Sequence, residues 1–255
     1  MSLFKTAARS VLRAIGLEVS RYRPNAEESW PSDYSSGDIE DICAVRSFSM
    51  TRPERILALV RAVEYVEAAR LPGAVVECGV WKGGSMMAAA RTLKRLGCLQ
   101  RELWLYDTFE GMSSPGSEDV DYKGDAAGPS FEKWRRGKDS SSWCFSPLAE
   151  VESNVGATGY PLERVRFVKG KVEETVPGAL PDRIAILRLD TDWYESTKHE
   201  LVHMYPRLVH GGVLILDDYG YWKGARKAVD EFMAELSDPP LLNRIDHSGR
   251  IAVKR

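Results

Sequence analysis

Five short apolar runs, each followed by a turn and then by helix-like spacing, constrain this 255-residue chain more than any other feature. They are AVVEC (74–78), LWLYD (103–107), RVRFV (164–168), IAILRLD (184–190) and VLILD (213–217). Such alternation predicts a mainly parallel sheet with helices on both faces. The tail LLNRIDHSGRIAVKR reads as two extended segments around His247-Ser248-Gly249, a terminal hairpin that brings the expected strand count to seven. Helices are expected from Thr51 and Pro53 to about Arg70 with Thr51 near the N-cap, from the glycine turn to about Leu96, from near Pro147, over about 195–209, and from about Gly224 to Leu236.

The ends of the chain and one inner stretch stand outside this pattern. Leu3, Phe4, Ala7, Val11, Leu12 and Ile15 recur at helical spacing among Lys5, Arg9 and Arg13, a short basic amphipathic helix. It can pack on the body, on a partner subunit or on a membrane surface. Residues 1–50 are read as an N-terminal helical arm or cap and 51–255 as the main domain. Residues 108–145, rich in Gly, Ser, Asp and Lys, read as a long lid-like loop.

Composition removes several classes. Lys+Arg 35 against Asp+Glu 37 leaves a net charge of -2, without the basic excess of a nucleic-acid binder. No run approaches a membrane span. Cys43, Cys78, Cys98 and Cys144 form no C-x-x-C pair, which suits free thiols in a reducing, cytoplasmic setting.

In a parallel sheet of this kind, ligands sit at the carboxyl ends of the strands. After AVVEC comes Gly79-Val-Trp-Lys-Gly83-Gly84-Ser85, a turn that lets backbone approach a ligand at a helix N-terminus. A strand-to-helix turn needs glycine in any case, and the spacing is not G-x-G-x-x-G. Glu77 could accept bonds from a ligand ammonium. Asp107 suits a ribose diol, or simply a turn. Together they favour a nucleoside carrying an amino-acid-like group, and S-adenosylmethionine (SAM) fits that description.

The fourth and fifth strands end Leu-Asp190-Thr-Asp192 and Leu-Asp217-Asp218. Neighbouring strands lie about 4.8 Å apart, so Asp190, Asp217 and Asp218 can converge. Three clustered carboxylates repel unless something positive lies between them, and Mg²⁺ or another hard divalent cation would serve. Asp192 could act on the same substrate as a base. Equally, Asp192 could cap the next helix and Asp217-Asp218 form a plain turn. His199, His203, His210 and His247 form no constellation, and Trp134, Trp143, Trp193 and Trp222 could stack on sugar faces or simply pack.

With these residues in hand the chain resembles the macrocin O-methyltransferase family, SAM- and metal-dependent enzymes acting on sugar hydroxyls of natural products. The resemblance rests on SMT-x-P-E-R (49–55), VVECGVWKGGS (75–85), YDTFEGM (106–112), FVKGKVEET (167–175), LRLDTDWYEST (187–197) and DDYGYWKGARKAVDEF (217–232). It implies a Rossmann-like seven-stranded methyltransferase fold, Mg²⁺ on Asp190, Asp217 and Asp218, and Asp192 as general base. It also implies SAM contacts from Thr51, Glu77, Gly79, Ser85, Asp107 and Gly170. The acceptor is expected to be a small molecule or saccharide and the assembly a homo-oligomer, most simply a dimer. Trp193 stands where the family pattern suggests an aliphatic residue, a change that could reshape the acceptor pocket. Two rivals stand beside this reading. One is a phenol or catechol O-methyltransferase, which would place a lysine where Trp193 stands. The other is a non-catalytic SAM-binding scaffold.

Overall fold

The computed structural model describes residues 30–255, and its compact body is Ser36–Arg255. The expected amphipathic helix over residues 3–15 lies outside the described residues. Within the described residues, no helix is long and apolar enough to cross a membrane.

The strands are β1 (Ala74–Cys78), β2 (Leu103–Asp107), β3 (Val165–Lys169), β4 (Ile184–Leu189), β5 (Leu208–Leu216), β6 (Asn243–Arg244) and β7 (Arg250–Val253). They form one seven-stranded sheet in the order β3-β2-β1-β4-β5-β7-β6. β1 through β5 run parallel, while β7 is antiparallel to both β5 and β6. The chain winds from β1 outward to β3, then returns to the other side of β1 with β4. The strand ends between β1 and β4 are therefore a topological switch point, where open sheets leave a ligand crevice.

The helices are α1 (Ser36–Val45), α2 (Pro53–Ala68), α3 (Gly84–Arg95), α4 (Gly128–Trp134), α5 (Leu148–Gly156), α6 (Val172–Thr175), α7 (Tyr194–Met204) and α8 (Lys223–Glu235). β1 and β4 are buried along their whole length, which is why they read as unbroken apolar runs rather than alternating ones. Val76, Leu187 and Leu214 share a core cluster with Leu201 and Met204 of α7 and Val229 and Phe232 of α8. Strand alternation turns Val75, Glu77, Ile186 and Arg188 to the opposite face, where α2 and α3 pack.

Of the expected N-terminal arm, residues 36–50 are described within the body. Asp38 of α1 accepts from Arg61 of α2 at 2.7 Å, and Asp41 accepts from Arg91 of α3 at 2.9 Å. α2 opens at Pro53 with Arg52 as its N-cap, so Thr51 stands beside the cap as expected, its hydroxyl bonded to that of Ser49 at 2.7 Å. The stretch 108–145 has internal structure. It carries α4 and is pinned by the buried Asp119, which accepts the Tyr194 N–H at 2.8 Å and so satisfies an orphan donor at the start of α7.

Gly79 has φ +79°, and a Cβ there would run into the carbonyl oxygen of Asp190. The close approach of the β1 and β4 ends depends on this missing atom. Gly79→Ala is expected to cost more than about 2 kcal/mol, since it adds left-handed strain to a backbone clash. Denaturant unfolding monitored by circular dichroism checks this.

Candidate active site

Asp107, at the end of β2, organises the turn after β1. Its Oδ2 accepts the N–H groups of Val80 at 2.8 Å and Trp81 at 3.1 Å, and its Oδ1 accepts that of Phe109 at 2.7 Å. Burial pushes its carboxyl up, and these three bonds pull it back. Trp81 is held with φ +45°, a conformation rare for a bulky residue.

Two cavities open at the carboxyl ends of the strands. Gly79, Asp107 and Gly170 line the first. Thr51, Glu77, Ser85, Asp217 and Asp218 line the second. Met50, Trp81, Cys144, Asp190 and Asp192 belong to both and form the partition between them. All of the sequence-nominated site residues therefore fall on one crevice, but Thr51, Glu77 and Ser85 stand on a different side of the partition from Gly79, Asp107 and Gly170.

The second cavity has an ionic floor centred on Arg188, which the sequence reading passed over as part of an apolar strand. Glu77 and Arg188 are register partners on adjacent strands, and both side chains are 1% exposed. The Arg188 guanidinium bonds Glu77, Asp190 at 2.7 Å and Asp217 at 2.5 Å. It thus joins the ends of β1, β4 and β5. Burial opposes its charge, but Asp190, Asp217 and Glu77 hold it on. Arg55 of α2 adds a second guanidinium, bonded to Asp217. A charged residue inside an otherwise apolar strand was the available signal, because a buried Arg requires partners.

Asp190, Asp217 and Asp218 can each offer one oxygen, all within 4.8 Å of one another. Burial pushes the Asp190 and Asp218 carboxyls well above the usual range, with neighbouring carboxylates adding to the effect. Asp192 has φ +68°. It receives the Trp222 indole N–H at 2.5 Å on Oδ1, and Asp218 accepts its backbone N–H at 3.2 Å. Burial, then the Asp190 charge, pushes its pKa up to about 8. Glu77 is pushed up to about 7 by burial, against the pull of Arg188 and of the Ser85 hydroxyl.

The tryptophans divide. Trp193 and Trp222 are buried against each other, ring centroids 5.0 Å apart. Trp193 lines neither cavity itself but packs against Met112 and Trp143, which do. Trp143 packs on both and lines the second cavity, while Trp134 is exposed on α4. Among the histidines only His247 lines either cavity, and His199 bonds the Val176 carbonyl at 2.9 Å.

Removing one partner from a buried ionic cluster strands the others. Arg188→Met is expected to destabilise the protein by about 3–5 kcal/mol and to lower its Tm by about 10 °C in a thermal melt.

Comparison with known proteins gives this crevice its context. The family described as Macrocin-O-methyltransferase (TylF) matches residues 18–253. The chain is 34% identical to the 8-demethyl-8-(2,3-dimethoxy-alpha-L-rhamnosyl)-tetracenomycin-C 4'-O-methyltransferase of Streptomyces olivaceus over 203 residues, 79% of this chain and 73% of the relative. It is 33% identical to the Mycinamicin III 3''-O-methyltransferase of Micromonospora griseorubida, covering 79% of this chain and 76% of that one. Among solved structures, the O-methyltransferase NovP superposes with a TM-score of 0.71 at 31% identity, covering 81% of this chain and 82% of that one. The chain belongs to the macrocin O-methyltransferase family and is a SAM-dependent O-methyltransferase of the seven-stranded fold.

Proposed function

We propose that this enzyme methylates a sugar hydroxyl of a glycoside, glycolipid or saccharide, with Asp192 as general base beside a divalent-cation site on Asp190, Asp217 and Asp218. The observation that carries the reading is the partition. The two cavities meet at Asp190 and Asp192, so a methyl donor spanning both, with its nucleoside end in the first and its amino-acid end in the second, would carry its methyl group past these carboxylates, where the acceptor hydroxyl would meet it. The rhamnosyl group in the name of the Streptomyces olivaceus relative supports a sugar acceptor.

SAM's nucleoside end suits the first cavity. Three N–H groups already occupy Asp107, and a carboxylate has about four acceptor sites, which leaves capacity for a ribose hydroxyl. Gly170, with φ +136°, has no side chain to fill that side of the cavity. The amino-acid end suits Glu77, whose Oε2 is buried without a hydrogen bond of good geometry, and the hydroxyls of Ser85 and Thr51 on the same wall.

The donor set fits a hard cation. Glu77, Asp190, Asp192, Asp217 and Asp218 crowd a floor with only two guanidinium groups bonded to it, so ionising all five acids would leave an excess of negative charge for a cation to offset. All three proposed ligands offer oxygen, as Mg²⁺ requires. When bound, such a cation supplies Lewis acidity that lowers the pKa of an acceptor hydroxyl.

The chain's own residues do the rest. Trp222 clasps Asp192 Oδ1 and leaves the remainder of the carboxylate for the acceptor proton. When bound between Asp107 and Glu77, SAM would supply the methyl group to the acceptor oxygen and leave as neutral S-adenosylhomocysteine. Asp192 receives the proton. Trp81, Cys144 and Met50 exclude water from the junction and hold the partners in line.

Asp192→Asn is expected to lower methyl transfer by about 10²–10⁴-fold while S-adenosylhomocysteine affinity stays within about twofold. Radiolabelled methyl transfer and calorimetric titration read the two quantities separately. Chelation with EDTA should abolish transfer and Mg²⁺ restore it. Label appearing on catechols but on none of a panel of rhamnosides and other glycosides would overturn the sugar reading.

A further inference from the structure

Arg55 stands in the first turn of α2 and reaches across the second cavity to the end of β5. Its Nη1 donates to Asp217 Oδ2, while Arg188 donates to Asp217 Oδ1 at 2.5 Å. Both oxygens of Asp217 therefore already carry a cationic donor. A metal site that uses Asp217 has to share or displace one of them.

The two guanidinium groups are not equally free to move. Arg188 is 1% exposed and tied to carboxylates from three strand ends. Arg55 is 11% exposed on the cavity wall and has a second carboxylate within reach, because its Nε lies 3.1 Å from Asp246 Oδ2. That contact is poised rather than closed. Both Arg55 Nε and Asp246 Oδ2 are buried without a well-aligned hydrogen bond. Asp246 Oδ1 meanwhile accepts the N–H groups of Ser248 at 2.9 Å and Gly249 at 2.6 Å, so the carboxylate is fixed with Oδ2 turned toward Arg55.

We propose that Arg55 is a displaceable counter-ion: it neutralises Asp217 in the metal-free protein and transfers to Asp246 when a divalent cation takes the Asp217 oxygen. Arg55 is thus a positioning residue that sets cation affinity without being a ligand. The inference rests on the metal reading above. Its physical basis is that a full positive charge in contact with a ligand oxygen opposes the arrival of a divalent cation, most strongly where solvent is excluded. Asp246 offsets that opposition by offering the displaced guanidinium a partner of the same kind.

The test is calorimetric titration of Mn²⁺ into EDTA-stripped full-length protein, with folding of every variant checked by circular dichroism. Arg55→Gln is expected to bind Mn²⁺ about five- to tenfold tighter than wild type. Asp246→Asn, which removes the alternative partner, should bind about threefold or more weaker, and this effect should vanish in the Arg55→Gln background. Arg52→Gln removes the same charge from the same cavity wall without bonding Asp217, and should stay within about twofold of wild type. Unchanged or weaker binding by Arg55→Gln would overturn the proposal. So would equal tightening by Arg52→Gln, which would indicate a general field rather than displacement. If Arg55→Gln does not fold, Asp246→Asn alone decides, because unchanged affinity there removes the second seat. Failure of wild type and all variants to bind Mn²⁺ would remove the metal reading itself, a result distinct from the others.

Discussion

A guanidinium buried beneath the switch point governs the rest of this active site. Arg188 sits in the middle of an apolar strand and gathers Glu77, Asp190 and Asp217 from the ends of β1, β4 and β5. Burying one Arg among carboxylates is costly in desolvation, and an apolar replacement of the whole cluster could be as stable. What the cluster contributes is placement. Without Arg188 the carboxylates would repel or take up protons, and the strand ends would present neutral groups pointing apart. With it, Asp190 and Asp217 stay on one cavity, where their oxygens and one from Asp218 lie within 4.8 Å of one another.

Around that core the backbone is drawn unusually tight. Gly79 lets the turn after β1 press on Asp190, and Asp107 reaches from β2 to fasten the same turn through Val80 and Trp81. Trp81 and Asp192, both with positive φ, belong to the partition between the two cavities. Left-handed conformations at non-glycine residues persist only where surroundings over-determine them. Here the surroundings are the Asp107 carboxylate for Trp81 and the Trp222 indole for Asp192.

The centre of the sheet was legible because β1 and β4 are covered on both faces, so each appears as a continuous apolar run whose end is marked by a glycine or an acid. The carboxylates at 190, 192, 217 and 218 were legible for the same reason: strand ends are predictable, and ligand chemistry gathers there. Arg188 and Arg55 were not, because their meaning lies in partners far away in sequence. Glu77 is 111 positions from Arg188, and Asp217 is 162 from Arg55. Clustered acids need positive charge nearby, and two arginines already supply part of it. The stretch 108–145 reads as a plain loop in the sequence because its order comes from long-range anchors, such as Asp119 on Tyr194 and the Trp193 indole on the Ser113 carbonyl at 3.1 Å. Trp193 and Trp222 looked available for a ligand because nothing local says that two tryptophans 29 positions apart will pack edge to face.

The aromatic cluster and the ionic floor turn out to be one device. Trp222 packs on Trp193 and Trp143, and its indole N–H leaves the cluster at a single point, the Asp192 carboxylate. The neighbouring turn residues 217 and 218 supply acids to the floor, while residue 222 of the same segment anchors in the aromatic cluster. A shift of the β5–α8 turn would therefore move Asp217, Asp218 and the partner of Asp192 together. Methyl transfer needs the acceptor oxygen, the methyl carbon and sulfur in line. Mounting the partner of the proposed base and two of the three proposed ligands on one turn, then clamping that turn between packed tryptophans and a buried arginine, keeps those positions correlated even when the acceptor changes.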